Sequence, residues 1–280
     1  MAQINTYSDI SDFVNTVWAD AWFVARENSI VANLVTNFSD QSGMALRKSS
    51  IYGEVSINAV GESDDLTSQA FTPTVHQTLT PAEYAAQVFL TDLRLESDIF
   101  GVRQDTSVEL GAAVAASIDS KLLGLFDELT AGTTGTAGSN LTWANLFAAQ
   151  SVLRAGFAPA PYVCVLSPYQ WHCLGTAIAP GVTVTNAPEL QNSLARNWFV
   201  ASVAGVDIYV DGNIAAGTSV FGAMFSPISM ALDMRRAPRL EPERDASRRG
   251  WEVNISMVYA YGVWRPAYGV AINTAGTSPV

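Results

Sequence analysis

Side chains of the common catalytic and metal-binding types are few in this sequence and lie far apart. The histidines are His76 and His172, and the cysteines are Cys164 and Cys173. His172 and the two cysteines would supply part of a zinc site, but a structural zinc site usually has four protein ligands. Two cysteines are also too few for a disulfide framework, so the sequence predicts packed cysteines with free thiols beside a partly exposed histidine.

Two pairs of adjacent carboxylates, Asp64-Asp65 and Asp127-Glu128, are of a type that can exchange protons or bind a cation. The first pair lies in a polar stretch typical of an exposed tip, and the second ends a predicted helix. Solvated or intersubunit charge is therefore the favoured interpretation. No nucleophile elbow, dinucleotide fingerprint or HExxH is present, and the glycines of 132–138 follow a helix rather than a strand, unlike a P-loop. The sequence predicts no enzyme activity, no cofactor and no metal.

The densest group of charges occupies residues 235–250. It contains Arg235, Arg236, Arg239, Arg244, Arg248 and Arg249. Three acids are interleaved with these arginines and nearly cancel the local field, and two prolines and a glycine predict an exposed turn. Arginine makes planar, bidentate pairs with carboxylates, so intersubunit ion pairs are favoured over a DNA-binding patch or plain solvated charge. The acidic stretch with Glu62, Asp64 and Asp65 is one possible partner.

The composition is apolar and acidic. Apolar residues make up 49% and charged residues 15%, and the net charge is −11. An acidic chain does not bind nucleic acid through counterion release, although it can line a compartment filled with DNA. The low charge suggests that partners cover much of the surface, while a large soluble enzyme remains the alternative. The sequence shows neither an apolar run long enough to span a bilayer nor a basic-then-apolar leader. We therefore expect synthesis in the cytoplasm and no association with a membrane.

Two regions have the period-two pattern of β-strands. Residues 251–263 carry an apolar side chain at each odd position, which predicts a long strand with one buried face. Residues 46–80 predict a hairpin with arms of about ten residues, or about 33 Å, on either side of an acidic tip. An isolated ribbon is marginally stable, so we expect this hairpin to lie against another subunit. Residues 84–95 predict a further strand that is buried on both faces.

The remaining elements are mainly helical in the first half and mixed in the second. An N-terminal amphipathic helix carries Trp18 and Trp22, and a helix over 98–129 has a stripe formed by Leu110, Val114, Ile118, Leu122, Leu125 and Leu129. A flexible link follows at 131–140. The second half predicts a helix over 141–155 with Trp143, Leu146, Phe147 and Leu153 inward, a buried strand at 162–166, a helix over 168–177, and strands at 206–210, 220–225 and 228–234.

Several loose sequence patterns accompany this order of elements. They are Leu79-Thr80-Pro81-Ala82-Glu83 leading to Leu90-Thr91-Asp92, the segment Ile118-Asp119-Ser120-Lys121-Leu122-Leu123, residues 221–233, and Tyr259-Ala-Tyr261-Gly262 before Pro266. Over nearly the whole chain, the order of parts resembles the major capsid proteins of tailed bacteriophages, which have the Hong Kong 97-like capsid fold.

The resemblance implies an α+β fold in four parts. These are an N-terminal arm at 1–45, an extended hairpin loop at 46–80, a peripheral domain at 81–140 and 226–280 with the spine helix 98–129, and an axial domain at 141–225. It implies self-assembly as hexamers and pentamers into an icosahedral shell, made in the host cytoplasm, that encloses double-stranded DNA in the virion. The implied partners are other copies of the chain, a portal, a scaffolding protein and a possible decoration protein. The expected intersubunit contacts are Trp18, Trp22, Glu62, Asp64, Asp65 and the six arginines of 235–250.

Two features depart from some members of that family. Certain shells are welded by Lys–Asn isopeptide bonds, but the only lysines here are Lys48 and Lys121, and neither is placed for that chemistry. We therefore expect no cross-linking. Because no long scaffolding segment precedes the N-terminal arm, we also expect a separate scaffolding protein. The alternatives are an encapsulin-type cellular shell that holds enzyme cargo and an α/β hydrolytic enzyme with a cleft between its lobes.

Overall fold

The computed structural model describes residues 30–52, 55–62, 65, 68–69, 71, 73–97, 102–178 and 199–278, and the predicted N-terminal helix lies outside this part. The strands are β1 Thr36–Phe38, β2 Arg47–Tyr52, β3 Pro73–Leu79, β4 Ala82–Thr91, β5 Gly132–Thr134, β6 Tyr162–Leu166, β7 Phe199–Val203, β8 Val206–Val210, β9 Gly217–Phe225, β10 Met230–Asp245, β11 Gly250–Val263 and β12 Gly269–Gly276. The α-helices are α1 Asp92–Glu96, α2 Val102–Leu123, α3 Trp143–Ala155 and α4 Pro168–Ile178.

A long antiparallel hairpin of β10 and β11 is the centre of the first sheet, whose order is β1-β10-β11-β4. The long strand predicted over 251–263 is confirmed as β11. The prediction of an exposed turn over 235–250 is wrong, because β10 continues to Asp245 and only residues 246–249 form the turn. Since β1 pairs only with Ala231–Asp233, the rest of β10 is an edge on that side, where Pro238 and Pro242 need not donate a ladder hydrogen bond. Pro238 also lies within a register shift between Arg236 and Arg239.

Helix α2 covers one face of this sheet. Its predicted stripe is confirmed at Leu110, Val114, Ile118 and Leu122, which are buried in one cluster with the inward side chains of β11. The helix ends at Leu123 instead of at 129, and its described part, Val102–Leu123, spans about 33 Å. Leu125 and Leu129 continue the buried surface beyond the end of the helix.

The root of the β2–β3 hairpin lies on the opposite face of the sheet. The arms are six and seven residues long, shorter than predicted, and residues 55–62 have no strand structure. Leu79 packs against Ala231 and Ala260, and a Cβ at position 262 would lie 2.8 Å from its Cδ2 atom. Small side chains on β10 and β11 therefore leave the space that receives the hairpin root.

Strand β4 differs most from its prediction. Residues 84–95 were expected to form a buried strand, but β4 stops at Thr91 and α1 follows. Ala85, Ala86 and Gln87 are exposed because β4 is the outermost strand of its sheet. The Oγ1 atom of Thr91 accepts a hydrogen bond from the Arg94 amide at 3.3 Å and so caps α1.

The second sheet has the order β5-β12-β9-β6-β8-β7 and packs against α3 and α4. It corrects the expected domain boundaries, since β12 lies in the range assigned to the peripheral domain yet pairs with β9. β5 pairs with β12 as well, so the predicted link is held in the sheet at Gly132–Thr134. The helix and strand predictions from 141 to 225 are confirmed, except that Phe147 points outward and is 50% exposed.

Candidate assembly surfaces

The turn at the end of the β10–β11 hairpin is a compact charged structure. The Oδ1 atom of Asp245 accepts hydrogen bonds from the backbone amides of Ser247 at 2.9 Å and Arg248 at 3.1 Å. Arg249 has a φ of 51°, in the left-handed region that a tight turn of this kind requires. The turn is thus fixed by its own side chains, and its arginines project from an ordered base.

Arg244 joins this turn to the end of β4. Its Nη1 and Nη2 atoms donate to the Oδ1 and Oδ2 atoms of Asp92 at 2.5 and 2.7 Å, in bidentate geometry. These hydrogen bonds hold the pKa of Asp92 below its ordinary value. The Arg244 guanidinium also lies 5.4 Å from the ring centroid of Trp251. This arginine therefore stabilises the edge of its own sheet.

Arg248, Arg249 and Arg94 are exposed at this end of the sheet. Arg248 donates to Glu252 at 3.1 Å, and its guanidinium lies 4.5 Å from the ring centroid of Phe89. Arg94 and Arg249 are exposed and make no ion pair within the described part of the chain. Glu96 and Glu243 are exposed at the same end and also have no ion pair among the described residues, so charges of both signs are available to a partner.

Two further arginines of β10 have acidic partners in the same chain. Arg236 pairs with Glu83 of β4 at 2.5 Å, and Arg239 pairs with Glu241 at 2.9 Å. All four side chains are substantially exposed, so these are surface pairs of modest strength. The expected intersubunit role of these arginines remains a prediction, and any partner would have to compete with the carboxylates already present.

Arg235 is a correction to the set of expected contacts. Its side chain is completely buried, and its Nη2 atom lies 2.8 Å from the Oδ2 atom of Asp233. The same oxygen accepts a 2.7 Å hydrogen bond from Nε of Arg47, which also pairs with Asp40. The bulge between Met234 and Arg236 turns Arg235 inward, so it faces the hairpin root instead of a neighbouring subunit.

Arg47 is a structural residue that sequence reasoning missed. Its guanidinium lies 4.3 Å from the Phe38 ring centroid, and Phe38 contacts Trp264 edge-on. Burial alone would lower the pKa of Arg47, but its bonds to Asp233 and Asp40 outweigh burial and raise it. The one available signal was the acid at Asp233 in an otherwise apolar strand, which required a buried cation as partner.

Asp119 is a second missed residue, located on α2 and fully buried. Its carboxylate accepts hydrogen bonds from the backbone amides of Ile30 and Val31, both at 3.2 Å, and from Nδ2 of Asn213 at 3.4 Å. It therefore ties the segment that follows residue 29 to the spine helix and to the second sheet. A carboxylate beside the apolar stripe was the only sign of it in the sequence.

The hairpin loop supplies the acidic surface. Glu62 and Asp65 are exposed, whereas Asp64, Trp18 and Trp22 lie outside the described residues. Large apolar side chains of the loop are also exposed, with Val55 at 61%, Ile57 at 97% and Phe71 at 62%. The loop thus presents both acidic and apolar groups that are not buried within this chain.

The structure assembles no catalytic or metal centre from the described residues. Cys164 and Cys173 are both free thiols, and burial raises the pKa of Cys164. Across the described ranges, no cluster of three or more histidine, cysteine, aspartate or glutamate side chains could hold a metal ion. None of the helices within those ranges is both long and apolar enough to cross a membrane.

Comparison with known proteins gives one family match and many structural matches. The model of a phage capsid protein family matches residues 75–272. No curated protein sequence matches the chain significantly. A chain from Mycobacterium phage Che8 has a TM-score of 0.69 and 17% identity, with 87% of this chain and 90% of that chain covered. The mature capsid of bacteriophage PhiM1 gives a TM-score of 0.66 and 15% identity, with 90% and 88% covered. A virus-like particle from Pyrococcus furiosus gives a TM-score of 0.63 and 8% identity, with 93% and 99% covered, so the likeness in all three cases is one of fold.

Proposed function

The chain belongs to the phage capsid protein family, and from this membership we propose that it assembles as hexamers and pentamers into an icosahedral shell around a double-stranded DNA genome. The family match carries the proposal, because it spans β4, the spine helix and nearly all of both sheets. The Hong Kong 97-like capsid fold expected from the sequence is confirmed by the structural matches. The role of major capsid protein of a tailed phage is part of the proposal and rests on the family match. The protein is a structural component of the virion.

The described structure supports assembly because several of its elements lack a full set of contacts within one chain. The loop exposes large apolar side chains, and within the described part Arg249 of the charged hairpin turn has no ion pair. Many weak contacts repeated around a closed shell give high total stability, since each subunit is held by several neighbours at once. The arm, the loop and the hairpin turn would supply these contacts.

An encapsulin-type shell has less support, because the matching family model is one of phage capsid proteins. An α/β enzyme has less still, since this family consists of structural proteins. We also propose a portal, a separate scaffolding protein and a possible decoration protein as partners, and synthesis in the host cytoplasm. DNA packed inside purified particles would distinguish a genome container from a cargo shell.

The contact that we propose between neighbours joins the acidic loop tip of one subunit to Arg248 and Arg249 of the next. Both arginines are exposed, and the loop tip carries exposed Glu62 and Asp65. Reversing the charge with Arg248→Glu and Arg249→Glu should reduce shell yield while leaving the melting temperature of the isolated subunit close to that of the wild type. Arg154→Glu, which reverses an exposed arginine on α3, is the matched control. Normal shells from the double variant would exclude this contact.

Electron microscopy of the purified chain tests the proposal as a whole. Expressed alone or with a scaffolding protein, the chain should form closed shells, rings or aberrant spirals in negative stain. A monodisperse monomer under both conditions would contradict the capsid function.

A further inference from the structure

The carboxylate of Asp233 uses its two oxygens unequally. Its Oδ2 atom lies 2.7 Å from Nε of Arg47 and 2.8 Å from Nη2 of Arg235, whereas its Oδ1 atom is buried and has no hydrogen-bond partner within the described part of the chain. A carboxylate offers about four acceptor positions, two on each oxygen. The two arginines therefore share one oxygen, and the other oxygen accepts from neither.

Arg235 is poorly satisfied in this arrangement. Its guanidinium has five N–H donors, yet all three of its nitrogens are buried without a hydrogen-bond partner among the described residues, so its contact with Asp233 is an ion pair only. Buried polar groups in native proteins are nearly always hydrogen-bonded, so this exception requires an explanation. If Arg235 faced both oxygens of Asp233 in bidentate geometry, two of its nitrogens and the Oδ1 atom would be satisfied together.

Arg47 has a second acidic partner, in the segment between β1 and β2. Its Nη2 atom pairs with Asp40, and its guanidinium lies 4.3 Å from the Phe38 ring centroid. The hydrogen bond from Arg47 lowers the pKa of Asp40, and the charge of Arg235 acts in the same direction, so Arg235 lies within electrostatic reach of both acids. Arg47 would consequently remain paired if it separated from Asp233.

The root of the β2–β3 hairpin has a pivot directly beside Arg47. Arg47 is the first residue of β2, and its partner across the ladder is Leu79, the last residue of β3. Leu79 packs against Ala231 and Ala260, whose small side chains do not interlock with it. A rotation of the hairpin about Leu79 would therefore change the distance between Arg47 and Asp233.

We propose that Asp233 is a two-position latch for this hairpin. In the described position Arg47 and Arg235 share its Oδ2 atom. In the second position Arg235 binds both oxygens and Arg47 keeps only Asp40, so the hairpin can pivot about Leu79. The inference rests on the proposed function, because a chain that occupies both hexamers and pentamers has a use for two hairpin directions. Each position pairs one arginine well and the other poorly, so neither is favoured by every contact, as a two-state element requires.

Distances between two spin labels in dissociated subunits test the latch. One label is attached at the far end of β2 through Tyr52→Cys, and the other on β10 through Glu243→Cys, which replaces an exposed residue. The background is Cys173→Ala, since Cys164 is buried. Position 52 lies about 17 Å along the strand from Arg47, so a pivot at the root moves this label by several ångströms. Double electron–electron resonance then gives the distribution of distances.

The wild type is expected to show two separate distances. Arg235→Met removes the competing arginine and should leave only the distance of the described position, whereas Arg47→Met should leave only the other. Asp40→Asn removes the second partner of Arg47 at an exposed position and should raise the ratio of the described to the second population at least threefold. The matched control is Arg239→Met, which removes an exposed pair on the same strand and should not change the ratio.

A single distance in the wild type would overturn the proposal and would mean that ordered water satisfies Arg235 instead. Identical distributions in Arg235→Met and Arg47→Met would also overturn it. If Arg47→Met did not fold, Asp40→Asn would decide, and an unchanged ratio in that variant would exclude the latch. These distances are measured in single subunits and do not depend on assembly. Wild-type chains that form no shell would instead contradict the proposed function, so the two failures are distinguishable.

Discussion

Replacing Asp233 by asparagine should destabilise the subunit severely, because this carboxylate is the shared partner of two arginines. Its side chain is completely buried, and one of its oxygens contacts both Arg47 and Arg235. Removing one member of a buried ion pair leaves uncompensated charge and typically costs about 3–5 kcal/mol. Native domains are stable by only about 5–15 kcal/mol, so the variant would lose a large part of its stability.

Replacing the partner of Asp233 instead, with Arg235→Met, should lower the free energy of unfolding by at least about 2 kcal/mol less than Asp233→Asn does. The Nε and Nη1 atoms of Arg235 are buried and have no hydrogen-bond partner among the described residues. Removing this arginine leaves Asp233 paired one-to-one with Arg47, and a methionine fills similar space with apolar atoms. The two members of one ion pair are thus predicted to have very unequal effects.

The free energies of unfolding of both variants are measured by urea unfolding of dissociated subunits. Tryptophan fluorescence monitors the unfolding, and Trp264 near the site is one reporter. The control is Glu241→Gln, which removes an exposed pair with Arg239 and should cost less than about 1 kcal/mol. If Asp233→Asn cost no more than this control, or if Arg235→Met proved the more damaging of the two, the account of the buried cluster would be refuted.

Three other substitutions test the fold directly. Gly250→Ala would place a Cβ 2.6 Å from the carbonyl oxygen of Leu90, so its free energy of unfolding should fall by about 1–3 kcal/mol in the same assay. Leu122→Ala removes a fully buried side chain beneath the sheet and should lower the free energy of unfolding by about 2–5 kcal/mol. Its control is Val108→Ala at an exposed position of the same helix, which should lower it by less than about 1 kcal/mol. Burial raises the pKa of Asp211, so the folded state holds its proton to higher pH than the unfolded state does, and stability falls as pH rises through that range. Asp211→Asn should therefore raise the melting temperature relative to the wild type more at pH 7 than at pH 4, and an equal difference at both would contradict this.

The parts of the fold that could be predicted are those with a strict local period. The apolar stripe at Leu110, Val114, Ile118 and Leu122 and the alternation of β11 each reflect one face packed on one core. β10 was missed beyond Met234 because its composition of arginine, glutamate and proline is that of a turn. Composition cannot show that β11 will pair with this segment and hold it as an edge strand. On such an edge, charged side chains reach water and prolines need not donate a backbone hydrogen bond.

The buried polar residues could not be predicted because their partners are distant in sequence. Arg47 and Asp233 are separated by 186 residues, and Asp119 is separated from Ile30 by 89. Each contact depends on the packing of a hairpin or a chain segment against a sheet or helix, and no local pattern encodes that packing. A buried acid in an apolar strand or helix signals that a partner exists, but it does not identify the partner.

The same alternation occurs at 55–60 and at 251–263, yet only the second segment is a strand within one chain. The physical difference is the location of the partner strands, since β11 lies between β10 and β4 whereas the loop segment has no second strand beside it in the described part. Sequence periodicity reports that a face will be buried and does not report whether the burying surface belongs to the same molecule. In a self-assembling protein, a strand pattern that stays unpaired in the single chain therefore indicates a segment that another copy should cover.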